Sequence, residues 1–243
     1  MARVGPEGSE PGRGRREGSG GEGNSPSAVG GEGLSLPAEY AAKLSKDEIN
    51  RLPIRRWEGP VQVIEDEAGM ERALRELVRE RILGFDTETK PVFKKGVTHP
   101  PALVQLATAS TVYLFRLGHL TDHSGLSCLL EDAGVLKVGV GLGEDAKRLR
   151  DVFSFEINGM VDLGEAACRV GLASRGLRSL AATFFRCRIS KRAQCSNWES
   201  RELKPFQITY AATDAWISRE LFLFMQGLGL FDPDPLVGGR CAS

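Results

Sequence analysis

Several kinds of residue are scarce in this chain of 243 residues, and each scarcity excludes a class of protein. The five cysteines are an odd number without a Cys-x-x-Cys pair, which argues against a zinc site and against a disulfide framework. Such thiols are typical of a reducing compartment, so we expect a cytoplasmic location, or a nuclear one in a eukaryote. The sequence has no run of about 18 apolar residues and no apolar signal core at its N-terminus, so we expect no membrane partner.

An excess of charge of one sign is missing as well, because 32 Lys and Arg residues balance 32 Asp and Glu residues. A net charge of zero gives no sign of a polyanionic partner. The local distribution is uneven, since residues 169–192 contain seven Lys and Arg residues and no acidic residue. This basic stretch is either a solvated helix surface or a surface that binds phosphates, and its composition fits both.

Composition divides the chain into four segments. Residues 1–34 hold 11 of the 29 glycines, mixed with Ser, Pro, Glu and Arg, and this composition predicts a disordered tail. Residues 35–51 are expected to form a linker with a short helix, and residues 231–243 a flexible C-terminal tail. The segment between them, residues 52–230, is long and apolar enough for one globular domain with its own core.

Hydrophobic periodicity within this domain predicts strands that alternate with helices. Five strands are predicted, near 61–64, 82–88, 102–108, 111–115 and 136–140. Six helices are predicted, near 67–80, 123–131, 143–152, 162–171, 176–185 and 206–226. This order predicts an α/β protein with helices on both faces of its sheet.

Carboxylates occur in three short segments next to apolar elements, where an unpaired acid costs stability. In the strand-like run ILGFDTE, Asp86 and Glu88 are two residues apart, so both side chains point to one face. Asp145 opens a predicted helix after a strand and a glycine turn. Tyr210 and Asp214 are four residues apart in a predicted helix and therefore lie on one of its faces.

Four carboxylates brought together would repel one another and would hold protons. A pair of divalent cations removes that conflict, so the pattern predicts a two-metal site for cleavage of phosphodiesters. Each segment alone has an ordinary explanation, since Asp-x-Glu is a common surface pattern and Asp145 suits the start of a helix. Tyr210 and Asp214 alone fit a half-buried tyrosine beside a solvated acid. The order and spacing of all three segments carry the prediction.

In this order the segments resemble the three motifs of the 3′–5′ exonucleases with four acids and a tyrosine (DEDDy type), such as the Werner syndrome helicase exonuclease domain and ribonuclease D. The resemblance runs from about Leu52 to about Gln226 and includes ALVQLAT, LRSLAATFF and SNWESRELKPFQITYAATDA. A sister group has histidine in place of Tyr210, but all three histidines of this chain precede that motif. The resemblance implies a ribonuclease H-like fold with a mixed five-stranded sheet flanked by helices.

The resemblance also implies roles for the motif residues. Asp86 would bridge two metal ions, Glu88 and Asp214 would complete the shell of one ion, and Asp145 would hold the other through water. Tyr210 would orient the attacking water, because an unperturbed tyrosine pKa near 10 makes it a poor base at neutral pH. Oxygen ligands of this kind favour Mg²⁺ or Mn²⁺.

We expect the substrate to be a nucleic acid with a free 3′ end, cleaved to nucleoside 5′-monophosphates. DNA is favoured over RNA, because the chain ends at Ser243 without the helical domains that follow the exonuclease domain of ribonuclease D. Lys191 and Arg192 are predicted to contact phosphates, and Phe93 and Trp198 to contact bases, although a tryptophan is more often a core residue. The alternative is a module that binds nucleic acid without cutting it. Such modules usually lose an acid, and this chain keeps all four.

Overall fold

The computed structural model of the chain describes residues 36–92, 96, 98–153 and 156–231. The predicted tail at residues 1–34 lies outside this part, as do Phe93 and all but the first residue of the predicted C-terminal tail. The described residues begin with a 3₁₀ turn at Ala38–Tyr40 and continue with helix α1 at Lys46–Arg51. The helix starts where it does because Ser45 and Glu48 form a capping box.

A mixed six-stranded sheet lies at the centre of the described residues, in the order β1-β4-β3-β2-β5-β6. Its strands are β1 Val61–Ile64, β2 Ile82–Thr89, β3 Pro101–Ala107, β4 Val112–Arg116, β5 Leu136–Gly139 and β6 Met160–Asp162. Strand β3 is antiparallel to β2 and β4, and the remaining pairs are parallel.

The prediction of five strands is wrong by one, because it omits β6. This strand has only three residues and pairs in parallel with β5, with Val138 opposite Val161. Its last residue, Asp162, also caps the next helix, so the segment has the local pattern of a helix start. Three residues give no periodicity from which a strand can be inferred.

Helices cover both faces of the sheet, as the alternating pattern predicts. They are α2 Glu67–Leu77, α3 Ser124–Glu131, α4 Leu142–Val152, α5 Leu163–Arg169, α6 Leu177–Phe185 and α7 Pro205–Gly227. One core cluster joins α2, α3 and α4 to one face of the sheet, and a second joins α5, α6 and α7 to the other. Among the described residues, no helix is both long and apolar enough to cross a lipid bilayer.

Strand β2 places its side chains alternately on these two faces. Leu83 and Phe85 are fully buried in the cluster of α2, α3 and α4. Gly84, Asp86 and Glu88 therefore face α7 on the opposite side of the sheet. Polar residues at the end of a central strand thus lie directly beneath a long helix.

Helix α7 approaches β2 very closely at Gly84. A Cβ atom added at this glycine would collide with the backbone carbonyl oxygen of Ala215. The missing side chain allows contact between the helix and strand backbones. Because Asp214 directly precedes Ala215, this contact also brings Asp214 close to the end of β2.

Candidate active site

Three carboxylates from two elements meet beneath α7. Asp86 and Glu88 of β2 and Asp214 of α7 have ligand oxygens that all lie within 4.8 Å of one another. Glu88 and Asp214 are buried, whereas Asp86 is partly exposed and keeps the group in contact with solvent. The structure thus brings together three of the four acids that the sequence singles out.

Burial raises the pKa values of all three carboxyls, and repulsion from neighbouring acids adds to the effect for Asp86 and Glu88. For Asp86, burial and then the charges of Asp214 and Asp145 raise the pKa well above the ordinary value. For Glu88, burial and then the charge of Asp86 raise the pKa to about 10. Burial raises the pKa of Asp214 to about 7, although its hydrogen bond with Tyr210 acts in the opposite direction. The folded protein without metal therefore holds protons here at neutral pH.

The same group has the chemistry of a site for a hard divalent cation. Carboxylate oxygens are the ligands that Mg²⁺ and Mn²⁺ prefer. The Oδ1 atom of Asp214 is buried and has no hydrogen-bond partner among the residues that the structure describes. An unpaired buried oxygen is costly unless something binds it. The arrangement of Asp86, Glu88 and Asp214 therefore fits a bound divalent cation.

Tyr210 lies one helical turn before Asp214, and its hydroxyl interacts with the Asp214 carboxylate. Burial and then the charge of Asp214 raise the pKa of the tyrosine above its ordinary value. The hydroxyl therefore keeps its proton over the physiological range and acts as a hydrogen-bond donor. This state suits a residue that orients a neighbouring group and does not remove a proton.

Asp145 lies outside the group of three, on the first turn of α4 and on the other face of the sheet. Its Oδ1 atom accepts a hydrogen bond of 2.6 Å from the Thr87 hydroxyl. Burial raises the pKa of Asp145, and the bond from Thr87 partly offsets that effect. The charge of Asp145 nevertheless raises the pKa of Asp86 and of Glu88, so all four acids form one electrostatic unit.

Two residues that the sequence does not single out hold Asp145 in place. The side chain of Thr87 points to the face of the sheet opposite Asp86, and there it contacts α4. Asp162 accepts hydrogen bonds from the backbone amides of Leu142 and Gly164, both at 2.8 Å, and thereby joins the starts of α4 and α5. Strand alternation indicates the direction of Thr87, but nothing in the sequence indicates that α4 packs there.

Replacing Thr87 by valine tests whether this support matters. Valine keeps the size of the side chain and removes the hydroxyl that positions Asp145. We expect the Mn²⁺ concentration that half-saturates activity to rise by about tenfold or more, as for other partners of metal-binding side chains. Thr87→Ser keeps the hydroxyl and should stay near wild type. A valine variant with unchanged Mn²⁺ dependence would show that the hydrogen bond is only structural.

Gln105 is a further residue to which the sequence analysis assigns no role. It lies directly opposite Asp86 in the β2–β3 pair, so both side chains are on one face of the sheet. The residue is fully buried, and neither amide atom of its side chain has a hydrogen-bond partner among the described residues. Its amide is therefore an available donor on the same face of the sheet as Asp86.

The residues that are predicted to contact nucleic acid lie in different surroundings. Lys191 is exposed and lines a cleft together with Tyr210 and Asp214. The Arg192 guanidinium lies 5.4 Å from the centre of the Phe206 ring. The base-stacking interpretation of Trp198 is wrong, because this side chain is only 1% exposed and belongs to the core beneath α7.

Comparisons with known proteins match the same part of the chain. A profile of the family described as 3′-5′ exonuclease matches residues 61–228. Mouse Exonuclease 3′-5′ domain-containing protein 2 is 38% identical over 165 residues, which are 63% of this chain and 25% of that protein. The mouse bifunctional 3′-5′ exonuclease/ATP-dependent helicase WRN is 32% identical over 158 residues, which are 61% of this chain and 11% of that protein.

The chain therefore spans a quarter or less of the length of these two curated relatives. Among solved structures, Escherichia coli RNase D, an exoribonuclease involved in structured RNA processing, gives a TM-score of 0.63 at 23% identity. The match covers 74% of this chain and 48% of that one, and at this identity it shows likeness of fold alone. The predicted ribonuclease H-like α/β fold is confirmed, with six strands in place of five.

Proposed function

We propose, because this chain belongs to the 3′–5′ exonuclease family, that its domain removes nucleotides one at a time from the 3′ end of a nucleic acid. The products are nucleoside 5′-monophosphates. The observation that carries the proposal is the grouping of Asp86, Glu88 and Asp214 within 4.8 Å, with the Tyr210 hydroxyl beside one of them. This group provides an acidic site for cations and a hydroxyl next to it.

The four acids fit a pair of divalent cations, Mg²⁺ or Mn²⁺. Asp86, Glu88 and Asp214 would hold one ion, and Asp145, whose charge acts on Asp86, would help to hold the second. When bound, such ions lower the pKa of water and stabilise the charge that develops on the leaving oxygen. The chain itself contributes the position of the acids and a partly buried setting in which their charges act strongly.

Tyr210 orients the attacking group in this proposal. Its hydroxyl stays protonated and interacts with Asp214, so its oxygen is available to accept a hydrogen bond from the attacking group. Tyr210→Phe keeps the ring and its packing beside Trp198, whose ring centroid lies 6.1 Å away. We expect kcat to fall on the order of tenfold to a hundredfold, as for other losses of positioning, with KM little changed.

The matched control is Tyr113→Phe. This second buried tyrosine lies on β4 in the cluster of α2, α3 and α4, on the other side of the sheet from the site. It should leave both kinetic constants near wild type. A Tyr210→Phe protein with full kcat would remove the tyrosine from the mechanism, although the polarity of digestion could still stand.

The direct test of the function is digestion of an oligonucleotide labelled at its 5′ end. We expect a ladder that shortens by one nucleotide at a time, and we expect a blocked 3′ end or a closed circle to resist. Cleavage from the 5′ end or within a circle would contradict the proposal. Binding without any product would instead identify a module that holds nucleic acid and does not cut it.

The same digestion compares DNA with RNA of equal sequence. The similar proteins include an exonuclease joined to a helicase and an exoribonuclease, so both kinds of strand belong in the test. The proposal favours DNA. Single-stranded and recessed-end duplex forms of each substrate complete the comparison, because the acids themselves recognise only a phosphodiester.

A further inference from the structure

A cleft of about 390 Å³ connects the acidic site to the opposite wall formed by α1 and the start of α6. Its volume lies within the usual range of ligand sites, about 300–1,000 Å³. Its lining includes Lys46, Asn50, Arg178, Lys191, Tyr210 and Asp214. The cleft is thus continuous with the site but extends well beyond the carboxylates.

One wall of the cleft lies outside the family match. Lys46, Ile49 and Asn50 belong to α1, whereas the match to the exonuclease family begins at residue 61. Ile49 is buried and anchors α1, and Lys46 and Asn50 remain exposed. A segment that precedes the matched region therefore contributes polar groups to the surroundings of the site.

The charges that line the cleft are separated by sign. Lys46, Arg178 and Lys191 are its cations, and Asp214 is its single acid among the described residues. The cations belong to three different segments, α1, α6 and the loop before α7. Two of them lie in the basic stretch 169–192, for which the sequence left a solvated surface and a phosphate-binding surface as alternatives. Convergence on a concave wall favours phosphate binding for these residues.

Arg178 is fixed in the cleft by α1. One of its terminal nitrogens, Nη2, donates a hydrogen bond of 2.5 Å to the side-chain oxygen of Asn50. Its Nε atom is buried and has no hydrogen-bond partner among the described residues. Helix α6 begins beside it at Gly176 without a side-chain cap, and the positive end of the helix dipole adds to the charge. The guanidinium is held by Asn50 and presents a positive charge to the cleft, where it is suited to attract a phosphate.

We propose that this cleft binds the phosphodiester backbone of the substrate strand on the 5′ side of the bond that is cut. This inference rests on the proposed exonuclease activity. In such a reaction, the terminal nucleotide carries only the phosphate that is attacked, and this phosphate lies at the acids. Any further phosphate that reaches Lys46 or Arg178 must therefore belong to the remaining strand. The cleft would hold the strand while successive ends reach the site.

Binding without cleavage tests the cleft directly. The affinity of a fluorescent single-stranded DNA oligonucleotide is measured by anisotropy in EDTA at several salt concentrations. Lys46→Gln and Arg178→Gln should each weaken binding roughly two- to fivefold, as expected for loss of an exposed ionic contact. Each should also reduce the slope of log affinity against log salt by about 0.7. Arg79→Gln removes an exposed charge beyond α2, on the other side of the sheet, and should change neither quantity.

A second measurement compares catalysis on a long substrate with catalysis on a short one. The p-nitrophenyl ester of thymidine 5′-monophosphate has the bond to be cut but no phosphate on the 5′ side. We expect the double variant Lys46→Gln/Arg178→Gln to lower the ratio of kcat/KM on an oligonucleotide to kcat/KM on this ester by roughly tenfold. An unchanged ratio together with an unchanged salt slope would overturn the proposal.

The two measurements separate this proposal from the proposed function. If wild-type protein cuts neither substrate, the exonuclease assignment fails, and the anisotropy experiment still decides whether the cleft binds a strand. Arg178→Gln breaks a contact between α1 and α6 and can disturb the fold, which its melting temperature reveals. Lys46 is exposed on α1, so Lys46→Gln keeps the proposal open to disproof in that case.

Discussion

Asp86→Asn is expected to lower turnover on an oligonucleotide by on the order of a hundred- to a thousandfold while the protein stays folded. Asp86 is the central acid, because its ligand oxygen lies close to those of Glu88 and Asp214 and its pKa also responds to Asp145. Asparagine has nearly the same shape but neither the charge nor the second acceptor oxygen. The measurement is kcat/KM at saturating Mn²⁺, and Glu76→Gln, an exposed change on α2, is the control.

The same variant should be more stable than wild type when metal is absent. The charge of Asp86 raises the pKa of Glu88, and the charge of Asp214 raises that of Asp86, so removal of Asp86 relieves repulsion in the folded state only. We therefore expect a higher melting temperature for Asp86→Asn than for wild type in EDTA at about pH 8. Activity within about tenfold of wild type, or a lower melting temperature in EDTA, would contradict the role assigned to Asp86.

Removal of divalent cations is expected to abolish cleavage completely. Excess EDTA should stop digestion, and added Mg²⁺ or Mn²⁺ should restore it, because the three grouped carboxylates need cations to offset their charge. Full activity in EDTA would contradict a metal-dependent mechanism. The protein should still be folded in EDTA, since two hydrophobic clusters enclose the sheet independently of the site.

The stability of the metal-free protein should fall as the pH rises. Folding raises the pKa of Asp214 to about 7 and that of Glu88 to about 10, above unfolded values of about 4. The folded state then binds more protons than the unfolded state, so the stabilisation is complete below about pH 4. It is lost as the pH rises through 7 and then towards 10. In EDTA, the melting temperature should therefore be higher at about pH 5 than at about pH 8.

Addition of metal should reverse the pH dependence of the melting temperature. Cations bind the charged carboxylates, so Mn²⁺ should raise the melting temperature more at about pH 8 than at about pH 5. The Asp214→Asn variant provides the control, because it removes one of the titrating groups and should flatten the pH dependence in EDTA. If the melting temperature of the metal-free protein rises between these two pH values, the carboxyls do not hold protons in the folded state as described above.

The parts of the site that follow from local sequence are those within a single element. Strand alternation places Asp86 and Glu88 on one face, and helical spacing places Tyr210 beside Asp214. Both relations need only the period of the element. The meeting of β2 with α7 follows from the family resemblance and not from either segment, because no local pattern states which helix covers which strand.

The parts that the sequence does not predict depend on contacts between distant segments. Strand β6 is recognisable only through its pairing with β5. Thr87 and Asp145 are 58 residues apart, and their hydrogen bond requires α4 to pack against the far face of the sheet. Trp198 has the type of side chain that stacks on bases, but its burial depends on the packing beneath α7.

The close approach of α7 at Gly84 has a consequence for ion selectivity. The gap between Asp86 and Asp214 is set by the contact of the two main chains at Gly84, two residues before Asp86. Ions of different radius require different spacings of the same carboxylates, because Mg²⁺ binds oxygen at about 2.1 Å and Ca²⁺ at about 2.4 Å. A methyl group at position 84 would therefore push the strand and the helix apart and widen the gap between Asp86 and Asp214. We therefore expect the spacing of the candidate ligands to depend on a position that carries no ligand.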